Sequence, residues 1–356
     1  KEDIQGLPAE EVTVEGVDPD GCGHRSTSGA TGEPLEILTR PSDLAMTNAS
    51  FLRAYMEWGM KPWHRTASFQ VRRAWLAKKK SWYQHLRIFP CQMLYSGKPA
   101  GEIIEDLSSW RPYLLCGYPM TLELVAQSFR RAGARLKIPL VASCSGVLPA
   151  AGRSLLEEVF EARVVDIYAS EEAGSVIAWE CPDCGKYHVA KDNVIVEVLT
   201  GGMPTAPGEK GEVVVTSLNN HTMPFIRYAQ SDVAVPLESR CHREPAAALL
   251  DRIWGREWDF IILPSGKKLT PHLFYKPFYY TVGVGQWRLV QKTVDIIDVQ
   301  IVETQGLETE LLEQIEREVR GITENEIDVR VRVVPEIDWT DFSKSYKRRA
   351  VMSLCS

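Results

Sequence analysis

The sequence has no apolar run near the roughly 20 residues that a membrane-spanning helix needs, and no signal-peptide pattern at its start. Basic clusters are also scarce, with only residues 78–80 and 347–349 forming short runs. The 47 acidic residues outnumber the 41 basic ones, which gives a formal net charge of −6. Internal repeats and low-complexity linkers are absent. We therefore expect neither a membrane nor a nucleic acid as partner, and expect a small molecule instead.

Cysteine is sparse as well, with eight residues in a chain of 356. This number is too small for a disulfide framework in a chain of this length. The sequence therefore predicts free thiols in a reducing, cytoplasmic location. The chain opens on Lys1 rather than Met, so we expect native N-terminal residues to be missing.

The length and the periodicity indicate two domains of mixed structure. At about 100–200 residues per domain, 356 residues favour two. Apolar runs at residues 113–119, 138–144 and 162–168 alternate with helical patterns, which is typical of βαβ units in a buried parallel sheet. The predicted helices cover residues 42–60, 122–134 and 151–160, and residues 35–38 are predicted as a strand.

The pattern changes after Cys181. Closely spaced apolar runs at residues 193–200, 211–218 and 223–229 predict antiparallel strands. A boundary is expected near residues 255–259. Beyond it the sequence predicts a small α+β domain with strands at 286–291, 294–302 and 327–334 and a helix at 308–319.

Two motifs suggest chemistry. The segment 26–34, with the sequence STSGATGEP, alternates hydroxyls with glycines and would allow close backbone approach to a phosphate; a flexible loop is the alternative. Cys181, Cys184 and His188 have the spacing of ligands for tetrahedral Zn²⁺, and a redox dithiol is the alternative.

These residues also resemble a known family. The segment TSGATGEP resembles the phosphate-binding loop of adenylate-forming enzymes, the acyl-CoA ligase superfamily, and most of all the branch of phenylacetate–CoA ligases and capsule-biosynthesis adenylating enzymes. Four further stretches occur in the family's order, at residues 168–172, 223–234, 255–259 and 347–353. The resemblance extends over essentially the whole chain.

The resemblance implies an α/β fold with two parts. Residues 1–257 would form a large adenylation domain of mixed sheets and helices. Residues 258–356 would form a small, mobile α+β domain that rotates about Trp258 and Asp259 between two half-reactions. The implied activity is ATP-dependent conversion of a carboxylic acid, expected to be aryl, into an acyl-adenylate with release of pyrophosphate. The acyl group would then pass to CoA or, alternatively, to an amine.

The resemblance also implies a role for each site residue. Lys347 would bridge the carboxylate and ATP during adenylation, and Glu172 would hold Mg²⁺ against the phosphates. Asp232 would accept both ribose hydroxyls, while Arg256 would support the ribose or a phosphate, or anchor the hinge by a salt bridge. The expected ATP-binding residues are Ser26, Thr27, Ser28, Gly29, Thr31, Gly32, Tyr168, Asp232 and Arg256, and the expected acid-binding residues are Tyr118, Pro119, Ser145 and Gly146.

In this branch a second cysteine pair often follows the ribose-binding Asp. The resemblance therefore implies Cys241 as fourth ligand of a structural zinc, with His242 as a substitute. We expect ATP, Mg²⁺, Zn²⁺ and CoA as cofactors and co-substrates, and we keep a homodimer open.

The chain departs from the family pattern at several positions. Glu171 stands where the family has Thr, Gln230 and Ser231 stand for Thr-Gly, Ala229 stands for Arg, and Tyr346 stands for Gly. These departures leave a second class of function open, a catalytically weakened, zinc-containing binding or scaffold protein. A zinc-ribbon nucleic-acid binder is a third alternative, which the acidic balance disfavours.

Overall fold

The alternating apolar runs of residues 113–169 form the parallel centre of a large sheet in the computed structural model. The structure describes residues 4, 7–26, 35–70, 82–238, 240–256, 260–269, 271–279, 283–303, 308–338 and 350–355. The chain divides into two compact units, one comprising Lys1–Leu148 and Arg153–Trp254, the other Pro149–Gly152 and Gly255–Ser356. The main division thus falls between Trp254 and Gly255, three residues before the boundary expected between residues 257 and 258.

The strands among the described residues of the first unit form a hairpin and a twelve-stranded sheet. The hairpin pairs β1 (Gly23–Ser26) with β2 (Glu36–Thr39). The sheet runs in the order β11-β10-β12-β13-β14-β9-β8-β7-β6-β5-β3-β4. Its strands are β3 (Thr66–Gln70), β4 (Cys91–Tyr95), β5 (Leu114–Gly117), β6 (Leu140–Cys144), β7 (Arg163–Ser170), β8 (Ser175–Glu180), β9 (Tyr187–Val189), β10 (Val194–Thr200), β11 (Met203–Pro204), β12 (Gly211–Ser217), β13 (Tyr228–Leu237) and β14 (Leu249–Arg256).

The helices of this part lie between the strands. They are α1 (Ala9–Val12), α2 (Pro41–Glu57), α3 (Trp82–His85), α4 (Ala100–Trp110), α5 (Pro119–Arg131) and α6 (Ala150–Phe160), with a 3-10 turn at Pro19–Gly21. All three helices predicted for this part are present, since α2, α5 and α6 lie within a few residues of the expected bounds 42–60, 122–134 and 151–160. No helix among the described residues is long and apolar enough to cross a membrane.

The core forms on both faces of the parallel strands because alternate side chains point to opposite sides. On β6, Leu140 and Ala142 belong to one apolar cluster, together with α2 residues such as Ala54. Val141 belongs to the cluster on the other face, which includes side chains of α4, α5 and α6. The neighbouring strands β4, β3, β5, β6 and β7 are parallel to one another, as the βαβ pattern predicts. The next strand of the sheet, β8, is antiparallel to β7.

One strand prediction is wrong. Residues 223–227 of the apolar run MPFIRYA are irregular, and β13 begins only at Tyr228. Met223 and Phe225 are buried against Leu35 and Ile37, so their apolar character reflects packing beside the hairpin. Arg227 has a φ of 48°, a left-handed conformation that interrupts an extended run.

The second unit contains a four-stranded sheet in the order β19-β18-β17-β20. Its elements are β15 (Ile261–Ile262), β16 (Lys268–Leu269), a 3-10 helix (Pro271–Phe274), α7 (Lys276–Tyr279), β17 (Val284–Thr293), β18 (Ile296–Glu303), α8 (Thr309–Ile322), β19 (Asp328–Val333) and β20 (Val351–Ser353). The buried Gln291 joins three of these strands: its amide bonds to the backbone of Ile262 and its Oε1 accepts from the Ser353 hydroxyl at 2.8 Å.

Candidate functional site

The carboxyl ends of β5, β6 and β7 bring several of the predicted residues to one edge of the sheet. Tyr118 follows β5, Ser145 follows β6, and Tyr168 lies near the end of β7. These three strands are parallel and adjacent, with Gly117 opposite Ser143 and Cys144 opposite Ile167. In open parallel sheets this edge is where ligands bind.

Two of the expected acid-binding residues are in close contact. A Cβ atom placed on Gly146 would lie 3.2 Å from Cδ of Pro119, so only glycine fits without displacing the proline. Pro119 is the first residue of α5 and is buried, while Ser145 has a φ of 63° that turns the chain after β6. The loop after β6 and the start of α5 thus form one wall at this edge.

Tyr168 and Asp232 are joined directly. The Tyr168 hydroxyl donates to Oδ2 of Asp232 at 2.6 Å, which links β7 to β13 across the sheet. The preceding residue, Ser231, has a φ of 57°, a left-handed conformation that favours glycine. In this chain a serine adopts the left-handed conformation at the position where the resembled family has Gly.

Gln230, which directly precedes Ser231 in β13, is only 6% exposed. Its Nε2 has no hydrogen-bond partner among the described residues. A buried amide donor without a partner is uncommon in a folded protein.

The turn between β7 and β8 carries Glu172, whose side chain is only 6% exposed. The turn is held on several sides. The Ser170 hydroxyl accepts from the backbone N–H of Ala173 at 3.0 Å, the Ser217 hydroxyl donates to the carbonyl of Ala173 at 3.0 Å, and the Thr47 hydroxyl of α2 donates to the carbonyl of Gly174. These hydrogen bonds fix the backbone of the turn that carries Glu172.

The neighbouring Glu171 forms an ion pair with Arg25. The guanidinium Nε lies 2.6 Å from Oε2, and NH2 lies 3.0 Å from Oε1, so both carboxylate oxygens are engaged. Arg25 lies in β1, directly before the hydroxyl–glycine segment in sequence. Arg25 was not predicted from the sequence, although an acidic residue beside an expected phosphate site is itself a signal for a nearby cation.

Some of the predicted site residues lie outside the part of the chain that the structure describes. They are Thr27, Ser28, Gly29, Thr31, Gly32 and Lys347, together with the hinge residues Trp258 and Asp259. Ser26 and Arg256 are the last residues of β1 and β14, and only their backbones are described.

A second cluster lies at the turn after β8. Ligand atoms of Cys181, Cys184, His188 and Cys241 all lie within 4.8 Å of one another. Sγ of Cys181 is 3.9 Å from Sγ of Cys241, and Sγ of Cys184 is 3.6 Å from Nε2 of His188. The structure thus brings together the four ligands named from the sequence, as three sulfurs and one ring nitrogen.

The surroundings of this cluster fit a metal site. Nδ1 of the buried His188 has no hydrogen-bond partner among the described residues, and Oε2 of Glu244 lies 3.5 Å away. A carboxylate that closes on this nitrogen would orient a ligand histidine. Burial raises the pKa of the Cys184 thiol to about 11. Burial would also raise the pKa of Cys241, but N–H groups of Arg243 and Glu244 donate to its sulfur and bring the pKa below its usual value. Sequence patterns gave no signal for Glu244.

His242, the substitute ligand, lies outside this cluster. Its imidazole is exposed, and its Nε2 is 3.8 Å from Oδ2 of Asp183. The buried neighbour Cys241 points to the other three ligands instead.

Comparisons with known proteins agree with the resemblance seen in the motifs. No protein-family model matches the chain. Phenylacetate-coenzyme A ligase of Escherichia coli (strain K12) is 32% identical over 117 residues, which are 31% of this chain and 26% of that enzyme. The match therefore spans about a quarter of the length of this curated relative.

Solved structures share the fold over most of the chain. A 2-hydroxyisobutyryl-CoA ligase, in the postadenylation state with an acyl-AMP, has a TM-score of 0.73 and 18% identity, covering 96% of this chain and 75% of its own. The anthranilate CoA ligase AuaEII, in complex with anthranoyl-AMP, has a TM-score of 0.65 and 16% identity, covering 92% of this chain and 65% of its own. The expected α/β fold with a smaller C-terminal α+β unit is confirmed.

Proposed function

We propose that this chain, which has the fold of the adenylate-forming CoA ligases, uses ATP to activate a carboxylic acid as an acyl-adenylate. The contact that supports the proposal is the 2.6 Å hydrogen bond between Tyr168 and Asp232, which joins an aromatic ring to a carboxylate that can accept hydroxyls. The buried Glu172 follows in the turn after β7 and supplies a second carboxylate. A nucleotide needs these three features for its base, its ribose and its phosphate-bound cation.

In the proposed first step a carboxylate oxygen attacks the α-phosphorus of ATP. A bond from that oxygen to phosphorus forms, the bond from the α-phosphorus to the bridging oxygen breaks, and pyrophosphate leaves with the electron pair. Both reactants are anions, so the protein must mainly position them and neutralise their charge.

The residues of the first unit divide this task. Asp232 would accept hydrogen bonds from the ribose hydroxyls. The Tyr168 hydroxyl would hold the Asp232 carboxylate in place, and the Tyr168 ring would pack against the base. The unpartnered Nε2 of Gln230 offers a buried donor that an acceptor on the ligand would satisfy. The hydroxyl–glycine segment 26–34 would supply donors to the phosphates. Lys347, which belongs to the second unit in sequence, would bridge the two reactants.

Magnesium fits the carboxylate of Glu172, since Mg²⁺ prefers hard oxygen ligands and often takes only one or two from the protein. Bound there, it would supply positive charge to the phosphate oxygens. The pinned turn 170–174 would keep Glu172 fixed against them.

We also propose a structural zinc at Cys181, Cys184, His188 and Cys241. Three thiolates and one imidazole form the closed ligand set of structural sites, and no open position is left for substrate. The ion would tie the turn after β8 to the segment before β14. All eight cysteines are free thiols, which supports a reducing location.

In the second half-reaction the acyl carbonyl would be attacked by the thiol of CoA, with AMP leaving. CoA is the proposed acceptor because the sequence relative and both solved structures are named as CoA ligases. An amine acceptor is the alternative within the same chemistry. Aromatic residues at the acid-binding wall, such as Tyr118, support an aryl acid.

Pyrophosphate release tests the proposal. The full chain is incubated with ATP, Mg²⁺ and a panel of acids that includes phenylacetate, anthranilate and 2-hydroxyisobutyrate. We expect acid-dependent release that falls at least about 100-fold in Lys347→Ala and Glu172→Gln, because each removes a charge used in the transition state. The mass of the product formed with CoA or with amines then identifies the acceptor. No release with any acid would favour the scaffold alternative.

A further inference from the structure

Glu171 places an additional negative charge beside the proposed phosphate site. It directly precedes Glu172 in the same anchored turn, and the resembled family has a neutral Thr at this position. A free carboxylate there would repel the polyphosphate of ATP, because both groups are negatively charged.

Arg25 is placed to cancel this charge. Its guanidinium engages both oxygens of Glu171, at 2.6 Å and 3.0 Å, in the fork geometry that makes arginine–carboxylate pairs strong and directional. The two side chains are 30% and 32% exposed, so solvent screens the pair only in part. The pair also joins β1, from which the hydroxyl–glycine segment continues, to the turn that carries Glu172.

We propose that Arg25 is a positioning residue that neutralises Glu171 and so keeps the phosphate end of the site accessible to ATP. This inference rests on the proposed function. Glu171 stands where the resembled family has a neutral hydroxyl residue, and Arg25 balances its charge. Losing only the cation would therefore expose the anion, whereas losing both side chains would restore a neutral site.

Three variants test this ion pair, namely Arg25→Ala, Glu171→Thr and the double variant. Arg130→Ala serves as the control. The control breaks the 2.8 Å ion pair between Arg130 and Glu158 on the surface. Calorimetry on the full chain measures the Kd for ATP in the presence of Mg²⁺ and the Kd for adenosine. Thermal unfolding of each variant shows whether it is folded.

Arg25→Ala is expected to raise the Kd for ATP on the order of 10- to 100-fold, because it leaves Glu171 uncompensated beside the phosphates. The Kd for adenosine, which has no phosphates, should change less than about threefold, whereas a purely structural role would weaken both. The double variant should return the Kd for ATP to within about threefold of wild type, and Arg130→Ala should leave it unchanged.

Equal losses of ATP affinity in Arg25→Ala and in the double variant would overturn this inference and leave the proposed function standing. Parallel losses for ATP and adenosine in Arg25→Ala would overturn it too. If the wild-type chain binds no ATP, the proposed function fails and this inference fails with it. Should Arg25→Ala not fold, Arg25→Gln replaces it in the same comparison.

Discussion

Ser231 combines a strained backbone with a place next to the ribose-binding candidate Asp232. Its φ of 57° lies in the left-handed region, which costs an L-residue with a Cβ atom about 1–2 kcal/mol. A serine held in this conformation shows that the site geometry, rather than the local preference of the residue, sets the backbone here.

Ser231→Gly should therefore stabilise the protein by up to about 1 kcal/mol, since the removed strain exceeds the added entropy of a glycine in the unfolded chain. Denaturant unfolding measures the change. Ser231→Ala is the matched control and should give no gain, because it keeps Cβ. A gain of the same size in both variants would show that loss of the hydroxyl, not the backbone, is responsible.

Asp166 is a buried carboxyl that the proposed reaction does not use. It lies on β7 and accepts from the Tyr187 hydroxyl at 2.7 Å. Burial, together with the nearby charge of Glu180, raises its pKa from 3.8 to about 7, although Tyr187, Ser143 and Arg153 act in the opposite direction. The folded protein thus binds a proton at Asp166 more tightly than the unfolded chain does.

The sign of the pH dependence follows. The stabilising effect of this proton is complete below pH 3.8 and is lost as the pH rises to about 7. Asp166→Asn keeps an oxygen for Tyr187 and cannot ionise, so its stability relative to wild type should increase over this range, at up to about 1.4 kcal/mol per pH unit. Denaturant unfolding at several pH values measures this difference, and a difference that stays constant with pH would contradict the assignment.

At this scale, motifs identified residues that the fold then brings together, as for Tyr168 and Asp232. They did not identify Arg25, Glu244 or Asp166. Each of these acts through a partner far away in the sequence, at a distance set by the fold, and no local spacing encodes such a pairing.

At the scale of elements, the loops around the cysteine cluster have few apolar contacts of their own. Cys181, Cys241 and Leu249 form a small apolar cluster at their centre, separate from the main core. A bound ion would supply the missing cross-link between these segments, as structural zinc does elsewhere.

Glu244→Gln should lower the zinc affinity by about 10- to 100-fold, because it weakens the orientation of His188. Competition with a chromogenic chelator measures the affinity, and elemental analysis should find one zinc per chain in the wild type. Asp183→Asn is the control, since that carboxylate pairs with Arg243 at 3.2 Å rather than with a ligand. Absence of bound zinc in protein purified without chelator would contradict the site.

Periodicity predicted elements well where packing follows one simple pattern. The strands β5 to β7 are buried on both faces and read as apolar runs. The run over residues 223–227 has the same character but packs irregularly beside the hairpin, since burial alone does not specify an extended backbone. The short β20 was not predicted, because three residues carry too little pattern and its pairing with β17 is long-range.

At the scale of the whole molecule, each unit has its own sheet and core, and the large unit alone holds Tyr168, Asp232, Glu171 and Glu172. These four residues of the proposed nucleotide site thus belong to one unit, while the candidates Arg256 and Lys347 belong to the other in sequence. The order of the motifs and the two-part organisation could be predicted from the sequence. The acid of the proposed reaction could not, since its pocket would depend on side-chain shapes at the ends of several strands.

This division predicts separable effects on binding and on chemistry. Lys347→Ala should leave the Kd for ATP within about threefold of wild type while abolishing most adenylation, because the lysine is used mainly in the transition state. Asp232→Ala should instead weaken ATP binding itself, on the order of 10-fold or more, through loss of two hydrogen bonds. Calorimetry and pyrophosphate release, measured on the same preparations, give both quantities, and a loss of ATP binding in Lys347→Ala equal to that in Asp232→Ala would contradict the division.

The most direct test follows oxygen from the acid into AMP. The full chain is supplied with ATP, Mg²⁺, CoA and an accepted carboxylic acid whose carboxylate carries oxygen-18, and the released AMP is examined by mass spectrometry. Attack of the carboxylate on the α-phosphorus predicts that each AMP carries one labelled oxygen. Unlabelled AMP, or ADP in its place, would contradict an acyl-adenylate and the function proposed for this protein.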